Sequence, residues 1–260
     1  SLGSMPDTYG YEVPEQRAQE TLKRFFQGPV NMLDTSRNYA MGESEKRIGI
    51  AIKENGGWPG NFVLSTKIDR NMDTLVLDKK RTRESIEESL KTLNVDSVDI
   101  LFLHDPEYVK DVNDITKKDG ALDELFKIKE EGLAKAVGLA MGKINIMFPI
   151  LKNWDFDVII NHNRYTLLNR EADEMYSYAH SKNISIFNAA PYAGGVLAKG
   201  PSNFKKITYQ DVTEEKLAPA REIEKVCKKY NVEMGAAALQ FSMKDERVTS
   251  TLCGVTSVQS

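Results

Sequence analysis

Val98-Asp99-Ile100-Leu101-Phe102-Leu103-His104, residues 98–104, is a largely apolar run that stops at a histidine. Its length and composition predict a buried strand. Two earlier runs share the design: Val30-Asn31-Met32-Leu33 leads to Asp34 (30–34), and Phe62-Val63-Leu64-Ser65-Thr66 leads to Lys67 (62–67). Further strand candidates lie at 1–5, 135–140, 157–162, 184–190 and 249–254, eight in all. Helix signatures fill the intervals, among them Pro14 to Gln27, Glu43 to Glu54, Thr82 to Leu93, Ala121 to Gly132 and Thr213 to Tyr230. In the third of these, Ile86, Leu90 and Leu93 form an apolar stripe at spacings of four and three. Alternation of this kind implies parallel strands. Eight such units fit a closed barrel better than an open doubly wound sheet, because closure covers every strand edge. The expected fold is therefore an α/β TIM barrel, a single domain over 1–260.

Composition narrows the function. The chain has 260 residues, 41% of them hydrophobic, enough for one large core. Its net charge is −3 and its 35 basic residues are mixed with acidic ones, which argues against nucleic acid or an anionic lipid surface and for a small ligand. No apolar run approaches the roughly 18 residues of a membrane span, and the N-terminus lacks a basic region followed by an apolar core. A cytoplasmic protein is expected. Cys227 and Cys253 make neither a disulfide framework nor a zinc spacing and read as free thiols. Ser1-Leu2-Gly3-Ser4-Met5-Pro6 reads as a strand and Ser260 directly follows another, so both ends read as cut. Oligomeric state is not legible.

In an alternating strand and helix fold, ligands bind outside the carboxyl ends of the parallel strands. Asp34, Lys67 and His104 stand at three such ends, and Tyr39 follows Asp34 by five residues, in the loop opening the next helix. Together they supply a proton-transfer site for carbonyl chemistry. A carbonyl that accepts hydride develops negative charge on oxygen and needs a proton donor in reach. Tyrosine can donate, and an adjacent ammonium favours its phenolate, which is the task read for Lys67. A carboxylate, Asp34, keeps that lysine charged. His104 is read either as a neutral hydrogen-bond donor orienting the carbonyl or as part of a proton relay.

Each residue also has a plainer reading: a helix cap for Asp34, packing for Tyr39, a solvated strand end for Lys67 and a turn for His104. Their coincidence at strand ends favours one site. Loops 105–120 and 193–210 follow strands and are candidates for the substrate pocket, with a flexible surface excursion an equally simple account.

Asp34-Thr35-Ser36-Arg37-Asn38-Tyr39-Ala40-Met41-Gly42-Glu43-Ser44-Glu45-Lys46-Arg47-Ile48-Gly49, Ser65-Thr66-Lys67 and Asp99-Ile100-Leu101-Phe102-Leu103-His104 resemble the aspartate and tyrosine, lysine and histidine segments of the aldo-keto reductases. The resemblance covers essentially the whole chain. It implies that Tyr39 is the general acid/base, that Lys67 and Asp34 tune it, and that His104 orients the carbonyl. It also implies NAD or NADP bound in extended form without a Rossmann glycine fingerprint, and no Gly-x-Gly-x-x-Gly occurs here.

Arg164-Tyr165-Thr166-Leu167-Leu168-Asn169-Arg170 and Asn188-Ala189-Ala190-Pro191-Tyr192-Ala193-Gly194-Gly195-Val196-Leu197 are most similar to the D-threo-aldose and L-galactose dehydrogenase branch. That branch implies oxidation of a sugar hemiacetal to a lactone as well as carbonyl reduction. Cofactor contacts are implied for Asn161 or His162, for Pro191, Tyr192, Gly194, Gly195 and Leu197, and for a phosphate turn at Gly254, Val255, Thr256 and Ser257. Met141-Gly142 stands where the family often has Ser-Asn, Asn161 or His162 replaces its glutamine, and the tyrosine that stacks on the nicotinamide falls near Ala189. A non-catalytic nicotinamide-binding regulatory subunit on the same scaffold is the alternative. A metal-dependent barrel is weak, because only His104, His162 and His180 occur and Asp105 alone accompanies His104.

Overall fold

A computed structural model describes residues 2–6 and 10–259. Its contacts divide the chain into two compact units, one comprising 1–140, 150–156 and 254–260, the other 141–149 and 157–253. Strand β1 (Met32–Asp34), β2 (Val63–Ile68), β3 (Val98–His104) and the length of β4 (Ala134–Met141) up to Ala140 belong to the first. β1 pairs with β2, β2 with β3 and β3 with β4, every ladder parallel. In the second unit β5 (Val158–His162) pairs with β6 (Ser185–Ala189) and β6 with β9 (Ser250–Leu252), again in parallel. β2, β4 and β5 are buried almost throughout, as parallel strands covered by helices on one face and core on the other must be.

Seven of the eight expected strands are present, each within two residues of its expected bounds. The exception is 1–5. Ser1 lies outside the described residues, and Leu2 and Gly3 form a turn instead of a strand. A Cβ on Gly3 would lie 2.6 Å from the Ala40 Cβ and 2.9 Å from the Ser44 N, so this segment packs tightly against the turn that carries Tyr39. Its carbonyls serve side chains: Arg47 Nη1 donates to Leu2 O at 2.5 Å. Ser4, at φ 64°, accepts from Val13 N through its hydroxyl.

The helices match equally well. Glu43–Glu54 is as expected, and Lys79–Leu93 begins three residues before the expected Thr82 because Asp78 accepts from Arg81 N and caps it. Ile86 and Leu93 are fully buried and Leu90 partly so. The loop 105–120 holds a 3₁₀ turn at Pro106–Tyr108 and a short helix at Asn113–Thr116. The 193–210 loop folds back as a hairpin, β7 (Lys206–Ile207) with β8 (Gln210–Asp211), which no alternation in the sequence announces. Among the described residues no helix is long and apolar enough to cross a membrane, and Cys227 and Cys253 are free.

Candidate active site

The ends of β1, β2 and β3 bring the four predicted residues together within the first unit. Asp34 ends β1 and Lys67 is the fifth residue of β2, two after the residue facing Asp34 in the ladder. Lys67 Nζ, on a side chain only 2% exposed, donates to Asp34 Oδ2 at 2.6 Å and to the Thr35 carbonyl at 2.5 Å. Ser65 Oγ donates to the other Asp34 oxygen at 2.5 Å. A buried ammonium is tolerated only when paired and hydrogen-bonded, and both conditions hold here. The plain readings of Asp34 as a helix cap and Lys67 as a solvated strand end therefore fail. Tyr39 sits in the turn before the helix Glu43–Glu54, and Ser44 N donates to its carbonyl. Lys67 Nζ lies 4.7 Å from the centroid of the Tyr39 ring. The His104 ring meets the same ring edge-on, with centroids 5.8 Å apart and planes at 82°.

Sequence reasoning missed Asp69. Its carboxylate is buried, with Oδ1 2.6 Å from His104 Nδ1, and Oδ2 accepts from Ser36 Oγ at 2.5 Å and from Asn38 N at 2.9 Å. Burial opposes its charge, but the His104 ring and these donors outweigh that and hold the carboxyl below its usual range. Burial likewise opposes charge on His104, yet Asp69 and then Asp105, whose Oδ2 is 3.9 Å from Nε2, raise its pKa above the usual 6.5. A signal existed: residues i and i+2 of a strand share a face, so Asp69 continues the side that carries Lys67.

In the second unit Asn161, near the end of β5, is fully buried and donates through Nδ2 to the Met141 carbonyl at 2.8 Å. Its Oδ1 is buried with no hydrogen-bond partner. His162 lies against Gly142, where a Cβ would come within 2.7 Å of the imidazole, so the lack of a side chain there makes room for this ring.

Pro191 is buried, and the Leu197 side chain belongs to an apolar cluster with Val196, Leu217 and Ala238. Burial and then a contact with Cys253 raise the pKa of Tyr192. Gly194 adopts φ 79°, and a Cβ on it would come within 2.7 Å of Tyr209 N, so the hairpin itself demands glycine there. Gly195, at φ 120°, faces the Phe204 ring.

The turn Gly254–Ser257 follows β9 and contains no helix through residue 259. Arg17 Nε donates to the Thr256 carbonyl at 2.8 Å and Tyr11 Oη lies 3.1 Å from Thr256 Oγ1, both within the first unit.

Tyr165 and Asn188 serve the scaffold. Tyr165 Oη donates to Asp245, which Arg247 and this hydroxyl hold well below the usual carboxylate range. Asn188 accepts from Tyr176 Oη and donates to Tyr165 O and Ser242 Oγ, so every polar atom of this buried amide is engaged.

This constellation on parallel strand ends defines a class of protein. The aldo/keto reductase family profile matches residues 1–260, and the chain belongs to that family. It is 28% identical over 258 residues to the L-galactose dehydrogenase of Arabidopsis thaliana, covering 95% of this chain and 76% of that protein. It is also 28% identical over 266 residues to a D-threo-aldose 1-dehydrogenase of a Pseudomonas species, covering 92% and 79%. A solved aldo-keto reductase from Bacillus halodurans, in its holo form, matches with a TM-score of 0.76 at 21% identity, covering 97% of this chain and 81% of that one. The likeness fixes the fold as the TIM barrel. Membership makes the chain an oxidoreductase that works with a nicotinamide cofactor on small carbonyl or sugar substrates.

Proposed function

We propose that this protein interconverts an aldose or a short aldehyde with its oxidised or reduced partner, as an aldose 1-dehydrogenase does, using Tyr39 as general acid/base. The observation that carries the reading is the buried Lys67, clamped by Asp34 and Thr35 O and lying against the Tyr39 ring. In reduction, the carbonyl oxygen gains negative charge as its carbon gains hydride, and the Tyr39 hydroxyl gives its proton to that oxygen. The Lys67 ammonium stabilises the charge left on Tyr39, and Asp34 holds that ammonium in place through the 2.6 Å ion pair. In oxidation the same groups run in reverse, with Tyr39 taking the hydroxyl proton of a sugar hemiacetal.

The residues present fit a nicotinamide dinucleotide. The orphaned Asn161 Oδ1 is an acceptor suited to the carboxamide N–H of the ring. When bound, that ring supplies or takes the hydride. His162, Pro191, Tyr192, Gly194, Gly195 and Leu197 are proposed as further cofactor contacts, and Gly254, Val255, Thr256 and Ser257 as the phosphate turn.

The test follows absorbance of the reduced nicotinamide across a panel of aldoses and aldehydes, with NAD(H) and NADP(H) supplied separately. Turnover is expected with at least one pair. Tyr39→Phe should abolish it while leaving cofactor binding, read by fluorescence titration, intact. Cofactor binding without turnover on the whole panel would instead support a nicotinamide-binding regulatory subunit.

A further inference from the structure

We propose that Asp69 is a positioning residue for this reaction: it fixes a proton on His104 Nδ1, so that His104 can offer an N–H to a carbonyl oxygen only as the imidazolium. The proposal rests on the functional reading above and replaces the neutral-donor role expected for His104.

An ionised carboxylate can only accept hydrogen bonds. Both Asp69 oxygens are committed, Oδ1 to His104 Nδ1 at 2.6 Å, and Oδ2 to Ser36 Oγ at 2.5 Å and Asn38 N at 2.9 Å. The backbone beneath is also held: Asp69 N donates to Ser85 Oγ, and Arg81 Nε donates to Asp69 O. The carboxylate therefore neither turns away nor accepts a different ring atom. With Nδ1 carrying its proton toward Asp69, the neutral ring leaves Nε2 as a bare lone pair. A lone pair repels a carbonyl oxygen but accepts from a hydroxyl. The charged ring reverses this, presenting Nε2–H.

His104 thus favours carbonyl binding when protonated and alcohol or hemiacetal binding when neutral. Throughout, Tyr39 moves the proton and His104 only donates or accepts a hydrogen bond. The charged and titratable groups around the ring in the first unit are Asp69 after β2, Asp105 after β3, Lys67 on β2 and Tyr39 in the turn after β1. Of these, the two carboxylates favour the imidazolium and Lys67 opposes it.

Nitrogen-15 NMR of the intact protein tests the pair directly, because the chain has only three histidines. His104 should show its proton on Nδ1 when neutral and should titrate above 6.5. Asp69→Asn should lower that titration by at least about one unit. In aldehyde reduction, measured with DL-glyceraldehyde and NADH or NADPH, the basic limb of kcat/KM should leave its wild-type pH by about a unit or more, since this parameter reports free-enzyme ionisations. His104→Gln should lack the limb. A neutral ring protonated on Nε2 in the wild type overturns the proposal, as does an Asp69→Asn profile that stays in place. Wild-type protein that turns over no carbonyl counts against the functional reading, whereas the NMR result on unsubstituted protein decides the Asp69–His104 pairing, even if the variant does not fold.

Discussion

The ends of β1–β3 and the ends of β5–β6 both bury polar side chains, but the first set is ionic and the second is built from amides. At β1–β3 the charges come in compensated pairs, Asp34 with Lys67 and Asp69 with His104. At β5–β6, Asn161 and Asn188 face each other in the ladder and are equally buried, yet Asn188 has every polar atom engaged and Asn161 keeps an open acceptor. The difference separates three uses of buried polarity. In the function proposed here, paired charges hold the reactive Tyr39, a satisfied amide holds the scaffold, and a half-satisfied amide suits a ligand.

The strongest way to break this comparison is Lys67→Met. It should lower turnover by about 10²–10⁴, the range of general acid–base catalysis. It should also destabilise the fold by about 3–5 kcal/mol, because Asp34 is left without its partner in a largely buried position. Steady-state kinetics with urea unfolding read both effects. A variant that retains wild-type turnover removes the ionic set from the chemistry.

Asn188→Ala should act on stability alone. It strands Tyr165 O and Tyr176 Oη in the interior, while Ser242 Oγ keeps its bond with Thr251 Oγ1, at a cost of about 2–4 kcal/mol. Calorimetry should show Tm falling by roughly 5–15 °C. Activity per folded molecule should stay near wild type.

Asn161→Ala sharpens the contrast between the two amides. Cofactor dissociation constants should rise about tenfold, the equivalent of one hydrogen bond of about 1.4 kcal/mol, with a smaller loss of stability than at Asn188. Equal destabilisation with unchanged cofactor binding would make both amides scaffold.

The smallest effect concerns pH. The folded-state pKa of His104 is raised, so its contribution to stability is complete below 6.5 and is lost as pH climbs through the raised value. That of Asp69 is lowered, so its contribution is present above 3.8 and is lost as pH falls through the lowered value. The pair therefore contributes most between these two ordinary values. Urea midpoints compared at pH 3, 5.5 and 8.5 should show the Asp69→Asn deficit largest at the middle pH. A uniform deficit would show that the pair does not titrate with folding.

Much of this was legible because strands announce themselves locally. The run 98–104 is strand to the residue, and its terminal His104 falls where polar residues of parallel strands meet ligands. The expected strand at 1–5 fails because Gly3 packs against the Tyr39 turn and Leu2 O serves Arg47, contacts set by residues some 40 positions away. The hairpin at 206–211 has two-residue strands, too short for any periodicity. Gly194 and Leu197 drew attention as part of a cofactor motif, while their environment shows packing demands that the motif did not reveal.

The sequence alone determined the alternation of strands and helices, and the three polar residues at the strand ends with Tyr39 just beyond the first, because strand periodicity and terminal position are local properties of the chain. Only the tertiary structure decided which partner each polar atom takes. The bond from Asp69 to His104 spans 35 residues, and those from Asn188 span up to 54. A hydrogen bond within a buried site depends on distance and direction to a fraction of an ångström, and that precision exists only after the strands have packed.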